Sequence, residues 1–443
     1  MAVVQAKKNL NGEHLLVRKS FPLNGRVKVL GAKNAVLVSM AALIMTKGVS
    51  KLTNVPFSSD ILAMSELFLM LGARVEMSKL DMSITIDTRD IKSIGIDAGM
   101  MRRTRASILI MGSMLSRFGN VKVSLPGGCL IGKRPIDFHL RGFSRLGVSI
   151  SETNGNIEAK ATIDSESRLS CKIVLEYPSV GATENLLMFA TSLNQTTKIV
   201  NAALEPEVLC HIDLLRKMGA QIDVEVPNCI VVQGGKALHP VEHEIIPDRL
   251  EAGLFLVAAS VTGGTLAVDG ARASDMDVFV EKLREMGHEV VDAADGITIA
   301  ADPDPRAVNF KTAPYPGFPT DLQSTMMCAQ CVASGESIVE ETVFENRLMH
   351  VRELKKMGAQ ISVSGNIARI KGVRRLYGTE VIATDIRAAC ALVIAGCVAR
   401  GVTTVQGIEY LERAHYQIEK RLQQLGCNIE RVGTQVREEA ALL

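Results

Sequence analysis

The chain has no apolar run long enough to cross a bilayer; the longest, Ala35 to Met45, reaches about half a membrane span. The N-terminus, Met1 to Ser20, carries lysines but lacks the apolar stretch of a secretory signal, so the expected compartment is the cytoplasm. There is almost no net charge: 50 Lys and Arg stand against 48 Asp and Glu, giving +2. That balance argues against a chain-wide nucleic-acid or membrane surface, while a local basic site stays open. The eight histidines show no HExxH or comparable metal spacing, and no metal site is expected. Neither a Walker A loop nor GxGxxG is present, so nucleotide binding by those means is unsupported. The nine cysteines are odd in number and scattered, which predicts reduced thiols in a chain with no secretory signal. Cys328-Ala329-Gln330-Cys331 has CxxC spacing but no second pair and no nearby His, and reads as core packing rather than zinc or redox chemistry.

What is present is length, apolar content and repetition. At 443 residues, 47% of them apolar, the chain predicts two domains with a core each. One phrase recurs six times: an amphipathic stretch, an apolar residue, Gly, then a β-like run. Its glycines are Gly72, Gly147, Gly219, Gly287, Gly358 and Gly426, separated by 75, 72, 68, 71 and 68 residues. The stretch before each has helical spacing, as in Phe279, Leu283 and Met286, and the Gly suits the left-handed residue that ends a helix. Upstream in each unit lies a segment apolar on all sides: Ala35–Met45, Ser107–Leu115, Leu186–Leu193, Leu254–Val261, Thr325–Val332 and Ala389–Ala399. Such segments predict fully buried helices. The unit reads as strand, buried helix, strand, outer helix, strand, with three units per domain.

Just before the buried helices stand Lys33-Asn34, Arg105, Ser179 with Gly181 and Thr183, Asp248-Arg249, Asp321 and Arg387, 36 to 42 residues ahead of their marker glycines. These are equivalent places in a repeated unit. Helix N-termini carry partial positive charge and unpaired N–H groups. If the units pack about pseudo-threefold axes and the domains face each other, six such ends gather at one cleft with Lys33, Arg105, Arg249 and Arg387. The repeat alone therefore predicts a site for a strongly anionic substrate. A further candidate is the segment from Leu125 to His139, where three glycines in six residues predict a mobile loop around Cys129. A lone Cys is commonly a small buried hydrophobe, but Lys133 and Arg134 nearby favour a thiolate.

These segments carry a family resemblance. Gly31-Ala32-Lys33-Asn34-Ala35, Thr104-Arg105-Ala106-Ser107, Pro126-Gly127-Gly128-Cys129, Arg134-Pro135-Ile136-Asp137, Ser179-Val180-Gly181-Ala182-Thr183, Pro247-Asp248-Arg249, Phe318-Pro319-Thr320-Asp321, Phe344 through His350 and Thr384-Asp385-Ile386-Arg387 resemble, in order, the signature stretches of the UDP-N-acetylglucosamine 1-carboxyvinyltransferases. The likeness runs from about Leu23 to Val432. It implies an α/β (α+β) fold of two inside-out barrel-like domains, each of three repeated units around buried helices. The expected division is residues 33–246 for one domain, carrying the Cys129 loop, and 1–32 plus 247–443 for the other, carrying Asp321 and the arginines. The implied reaction moves the enolpyruvyl group of phosphoenolpyruvate to the 3′-hydroxyl of UDP-N-acetylglucosamine through a tetrahedral ketal, with phosphate leaving. It is the first committed step of peptidoglycan synthesis, which implies a part in cell-wall biogenesis, cell shape and division, and a target for fosfomycin. No metal, organic cofactor, nucleic acid, membrane or obligate protein partner is implied; the partners are the two small substrates.

By the same resemblance, Cys129 protonates the phosphoenolpyruvate methylene and Asp321 takes the acceptor hydroxyl proton. Lys33, Asn34, Arg134, Arg347, Arg387 and Arg413 surround the phosphate and carboxylate. Arg105, Arg134, Pro135, Ile136, Asp137, Phe138, Ser179, Val180, Gly181, Asp321 and Val343 meet the UDP-sugar. The chain departs from the family's pattern at Phe57-Ser58-Ser59-Asp60, Tyr177, Leu204, Cys210 and Ala414-His415. These departures touch the acceptor surroundings, so two alternatives stay open: another uridine nucleotide as acceptor, or a catalytically idle UDP-sugar-binding paralogue. Shikimate 3-phosphate fits less well, since the Cys129 loop suits the UDP-sugar branch.

Overall fold

The computed structural model describes residues 12–92, 107–124, 136–153, 155–161 and 170–433. Six interior helices carry the repeat: Lys33–Leu43, Ile110–Phe118, Val180–Thr191, Arg249–Thr262, Gln323–Val332 and Ile386–Val398. Their burial matches their composition. In Lys33–Leu43 every residue but Asn34 is buried, and Ile386–Val398 is buried from Arg387 through Cys397. Each fully buried Leu, Ile or Phe contributes about 1.5–3 kcal/mol relative to exposure, against the entropy of ordering the chain. Cys328 and Cys331 lie wholly inside Gln323–Val332; burial pushes both thiols up, that of Cys331 to about 12, as expected of packing residues.

Outer helices Ser59–Met70, Asp137–Arg145, Pro206–Lys217, Asp277–Glu285, Val351–Lys356 and Ile418–Gln424 cover these. Each runs into its marker glycine, whose φ lies between +86° and +111° in all six units. That conformation costs an L side chain dearly and glycine little, which is why the residue recurs.

Each unit centres on one small sheet. In the fifth, Phe310–Lys311 pairs parallel with Glu336–Glu340, which pairs antiparallel with Ile367–Lys371, which in turn pairs with Gln360–Ser364. The five-element unit expected from sequence thus lacks one strand: a hairpin partner follows the marker strand. The alternation of buried and exposed residues is too short there, as in Ile367–Lys371, to separate two strands from one. In the sixth unit the N-terminal strand His14–Arg18 lies between Val402–Gln406 and Ile429–Val432, antiparallel to both.

Buried apolar residues gather in two clusters. One holds Ala32 to Ile245; the other holds Leu15 to Val29 together with Leu250 to Ile429. The chain crosses between them twice, and the crossings are held side by side by a bridge between Gly31 and Pro247. A side chain at Gly31 would place its Cβ 1.8 Å from the Asn54 carbonyl oxygen, so the crossing requires glycine. No helix among the described residues is long and apolar enough to cross a membrane.

Candidate functional site

Several of the candidates stand at the starts of interior helices. Lys33 is the first residue of its helix, and no side chain caps that end. Arg249 and Arg387 likewise begin their helices, but carboxylates cap these. Asp248 accepts from the amides of Leu250 and Glu251, and Asp385 from those of Arg387 and Ala388. The expectation of six open, anion-seeking helix ends is thereby corrected. Two ends are already filled by acidic caps, the strongest local partners for orphan N–H groups. Ser179 caps Val180–Thr191 through the Ala182 amide. Asp321 sits in the short turn Thr320–Leu322 that leads into Gln323–Val332.

Two carboxylates organise the cations. Asp321 receives Arg347 on Oδ1 and Arg387, at 2.7 Å, on Oδ2. Burial by itself would raise the Asp321 carboxyl, but the charges of Arg387 and Arg347 overcome it and hold the group far below the usual carboxylate range. Asp60 receives Lys33 Nζ at 3.1 Å and Arg413 Nε at 2.8 Å. Burial raises the Asp60 carboxyl too, and the charges of Lys33 and Arg413 again prevail, so its net shift is downward. Lys33 is pushed the other way: burial lowers it, Asp60 opposes, and the positive charge of Arg387 lowers it further. The influence of Arg387 on Lys33 places the two carboxylate-centred groups in one electrostatic site.

The site straddles both cores. Asp60 lies in the first turn of the outer helix Ser59–Met70 of the first cluster, while Arg413 belongs to the short helix Glu409–Ala414 of the second. Phe57 meets Tyr416 edge-on at 6.1 Å across the same boundary. Arg249, expected among the cleft cations, feels the charge of Asp321 but is gripped by Glu207 through two bonds of 3.1 and 3.2 Å, with both side chains about nine-tenths buried or more. It ties the cores together rather than standing free for a ligand.

Glu341 sets the rest of the floor. Its buried carboxylate accepts from the hydroxyls of Thr312 and Thr320, both at 2.9 Å, and from the amides of Val343 and Phe344 at 2.9 and 3.2 Å. It thus fixes both the turn that carries Asp321 and the loop that leads to Arg347. The other sequence candidates are more loosely placed. Asn34 is exposed beside Lys33. Asp137 pairs with Arg141, whose guanidinium lies 5.1 Å over the Phe138 ring. Ile136, Ser179, Val180, Gly181 and Val343 are part-exposed. Arg105, Cys129, Arg134 and Pro135 lie outside the described residues. Sequence reasoning missed Asp60, Glu207 and Glu341. Asp60 had a signal: it is an acid in the first turn of an outer helix, inside a segment noted only as a departure from pattern.

Among the described residues no group of His, Cys, Asp and Glu could hold a metal ion. What the site offers is four cations, Lys33, Arg347, Arg387 and Arg413, clasping two carboxylates that an incoming anion could replace.

The family described as EPSP synthase (3-phosphoshikimate 1-carboxyvinyltransferase) matches residues 17–422. UDP-N-acetylglucosamine 1-carboxyvinyltransferase 1 of Caldanaerobacter subterraneus is 42% identical over 416 residues, covering 94% of this chain and 99% of that protein. UDP-N-acetylglucosamine 1-carboxyvinyltransferase of Geobacter metallireducens is 41% identical over 95% of this chain and 99% of its own length. UDP-N-acetylglucosamine 1-carboxyvinyltransferase 1 of Staphylococcus aureus is 43% identical with the same coverage. Among solved structures, the enolpyruvyl transferase NikO from Streptomyces tendae superposes with a TM-score of 0.85 at 24% identity, covering 95% of this chain and 98% of that one. EPSP synthase from Acinetobacter baumannii gives 0.73 at 16% identity, covering 95% and 100%. Both share the fold.

Proposed function

The chain belongs to the UDP-N-acetylglucosamine 1-carboxyvinyltransferase family, and on that premise we propose that it transfers the enolpyruvyl group of phosphoenolpyruvate to the 3′-hydroxyl of UDP-N-acetylglucosamine, releasing phosphate. The observation that carries the reading is the pair of carboxylate-centred cation clusters. Phosphoenolpyruvate brings a phosphate and a carboxylate, and four cations already hold two oxyanions in their place. Asn34 and Arg134 complete the assigned phosphoenolpyruvate set; Arg105, Arg134 to Phe138, Ser179 to Gly181, Asp321 and Val343 form the UDP-sugar set. We assign residues 33–246 and 1–32 plus 247–443 as the two catalytic domains.

The geometry suggests how acid–base work is timed. A carboxylate pinned by two arginines is a weak base. When the substrate anion draws Arg347 and Arg387 away, Asp321 loses the charges that depress it, and its proton affinity rises. It can then accept the 3′-hydroxyl proton as that oxygen bonds to C2 of phosphoenolpyruvate. Cys129 gives a proton to C3, the tetrahedral ketal forms, and loss of a C3 proton with cleavage of the C2–O–phosphate bond expels phosphate. The cations stabilise charge that develops on the phosphate and carboxylate oxygens. No metal or organic cofactor takes part. The setting is the cytoplasm, where the reaction commits UDP-N-acetylglucosamine to peptidoglycan and so bears on cell shape and division.

Phosphate release from phosphoenolpyruvate, followed with UDP-N-acetylglucosamine and separately with UMP, tests this. Release with the sugar nucleotide, together with the mass of an enolpyruvyl product, is the expected result. Release with UMP alone, or with neither, would overturn it.

A further inference from the structure

Cys397 lies in the last turn of the interior helix Ile386–Val398 of the sixth unit, and Cys427 follows that unit's marker glycine. Their sulfurs lie 3.1 Å apart. Both residues are nearly or fully buried, Cys397 wholly and Cys427 with 5% of its surface exposed. The N-terminal chain packs against both. The Ser20 amide donates to the Cys397 carbonyl at 2.8 Å, and the Ser20 hydroxyl donates to the Cys427 sulfur at 3.6 Å. The Asn428 amide in turn donates to the Ser20 hydroxyl at 3.0 Å.

The repeat supplies an internal comparison. The residue after the marker glycine is Ala73, Val148, Ala220, His288, Ala359 and Cys427 in the six units. In the fourth unit His288 meets Ser260 of the interior helix at 2.6 Å. The fold thus brings the end of an interior helix against this position, and in the sixth unit both places hold cysteine. A disulfide needs sulfurs about 2.05 Å apart, an approach of roughly 1 Å from the observed separation, with the main chain already tied by Ser20.

We propose that Cys397 and Cys427 are a disulfide-forming pair, oxidised by a small hydroperoxide and reduced by an external dithiol. The Cys427 sulfur attacks a peroxide oxygen; the O–O bond breaks, one water leaves, and a sulfenic acid remains. The Cys397 sulfur then attacks that sulfur, the S–O bond breaks, and a second water carries off the thiol proton. Two thiols lose two protons and two electrons, and hydrogen peroxide is reduced to two waters. Cys427 is the first to react for two reasons. It alone of the pair keeps a sliver of exposed surface, and the hydrogen bond from Cys397, with a second from Ser20, lowers its thiol below the ordinary value despite burial. The bond would close a loop of 30 residues that contains Arg413, stapling the segment that brings this arginine to Asp60.

The test treats the reduced full-length chain with stoichiometric hydrogen peroxide and maps its peptides. The expected product has lost two hydrogens, yields a cross-linked peptide joining Cys397 to Cys427, melts roughly 5 °C higher, and returns to the starting mass and midpoint with dithiothreitol. Cys427→Ala should fold, since alanine stands at the equivalent position in three other units, and should show neither the cross-link nor the higher midpoint. A sulfinic acid at Cys427 with Cys397 still free, a cross-link that omits either cysteine, or a cross-linked protein with an unchanged midpoint would overturn the proposal.

Discussion

Replacing Arg387 by alanine removes one of the two guanidinium groups on Asp321 while sparing the backbone around it. The Asp385 cap uses the main-chain amide of residue 387, and Ser324 donates to its carbonyl, so both survive the substitution. What is lost is a buried charge, a bond of 2.7 Å to Asp321, and the field that bears on Lys33. In the proposed reaction, a cation aimed at the developing oxyanion is worth about 2–4 kcal/mol, by analogy with oxyanion-hole donors. That corresponds to a fall in kcat/KM for phosphoenolpyruvate of about 30-fold to about 1,000-fold. UDP-N-acetylglucosamine affinity, read by calorimetry, should change little. Arg387→Lys keeps the charge but not the planar fork, and should fall between the two. The thermal midpoint, measured alongside, separates lost chemistry from lost fold. Collapse of UDP-sugar affinity with phosphoenolpyruvate kinetics preserved would refute the placing of Arg387 among the phosphoenolpyruvate cations.

Asp60→Asn should release Lys33 and Arg413 from their shared partner and lower kcat/KM for phosphoenolpyruvate by at least about tenfold, as for loss of a buried charged contact; steady-state kinetics with unchanged activity would deny Asp60 an organising role. His415 is buried against Glu251 and Cys390; burial disfavours its charged form, but the Cys390 sulfur and the Glu251 carboxylate raise it to about 9. Its folded value lies above the unfolded 6.5, so its contribution, about 3 kcal/mol, is complete below pH 6.5 and is lost as pH rises through 9. Thermal midpoints of His415→Gln should therefore lie below the parent at pH 6 and converge with it by pH 10, and parallel curves would exclude this. Fosfomycin should alkylate Cys129 and no other cysteine, faster with UDP-N-acetylglucosamine bound; peptide mapping that finds the adduct elsewhere would remove Cys129 as the acid.

The repeat was legible in the sequence because its causes are local. An all-apolar segment has to be an interior helix, an amphipathic one an outer helix, and the glycine that closes it answers to backbone sterics within a few residues. Lys33, Asp321 and Arg387 could be picked out for the same reason, since each opens or leads into an interior helix. Arg347 and Arg413 came from the likeness of their surroundings to a known family, with no periodicity to mark them. Tertiary structure alone decided which charges meet. Asp60 reaches Arg413 across 353 residues, Arg249 pairs with Glu207, and the N-terminal strand His14–Arg18 completes the last sheet. A charge or a strand edge accepts any complementary partner that packing brings within reach. Period and composition say nothing about which partner arrives, because that depends on how two separate cores sit against each other.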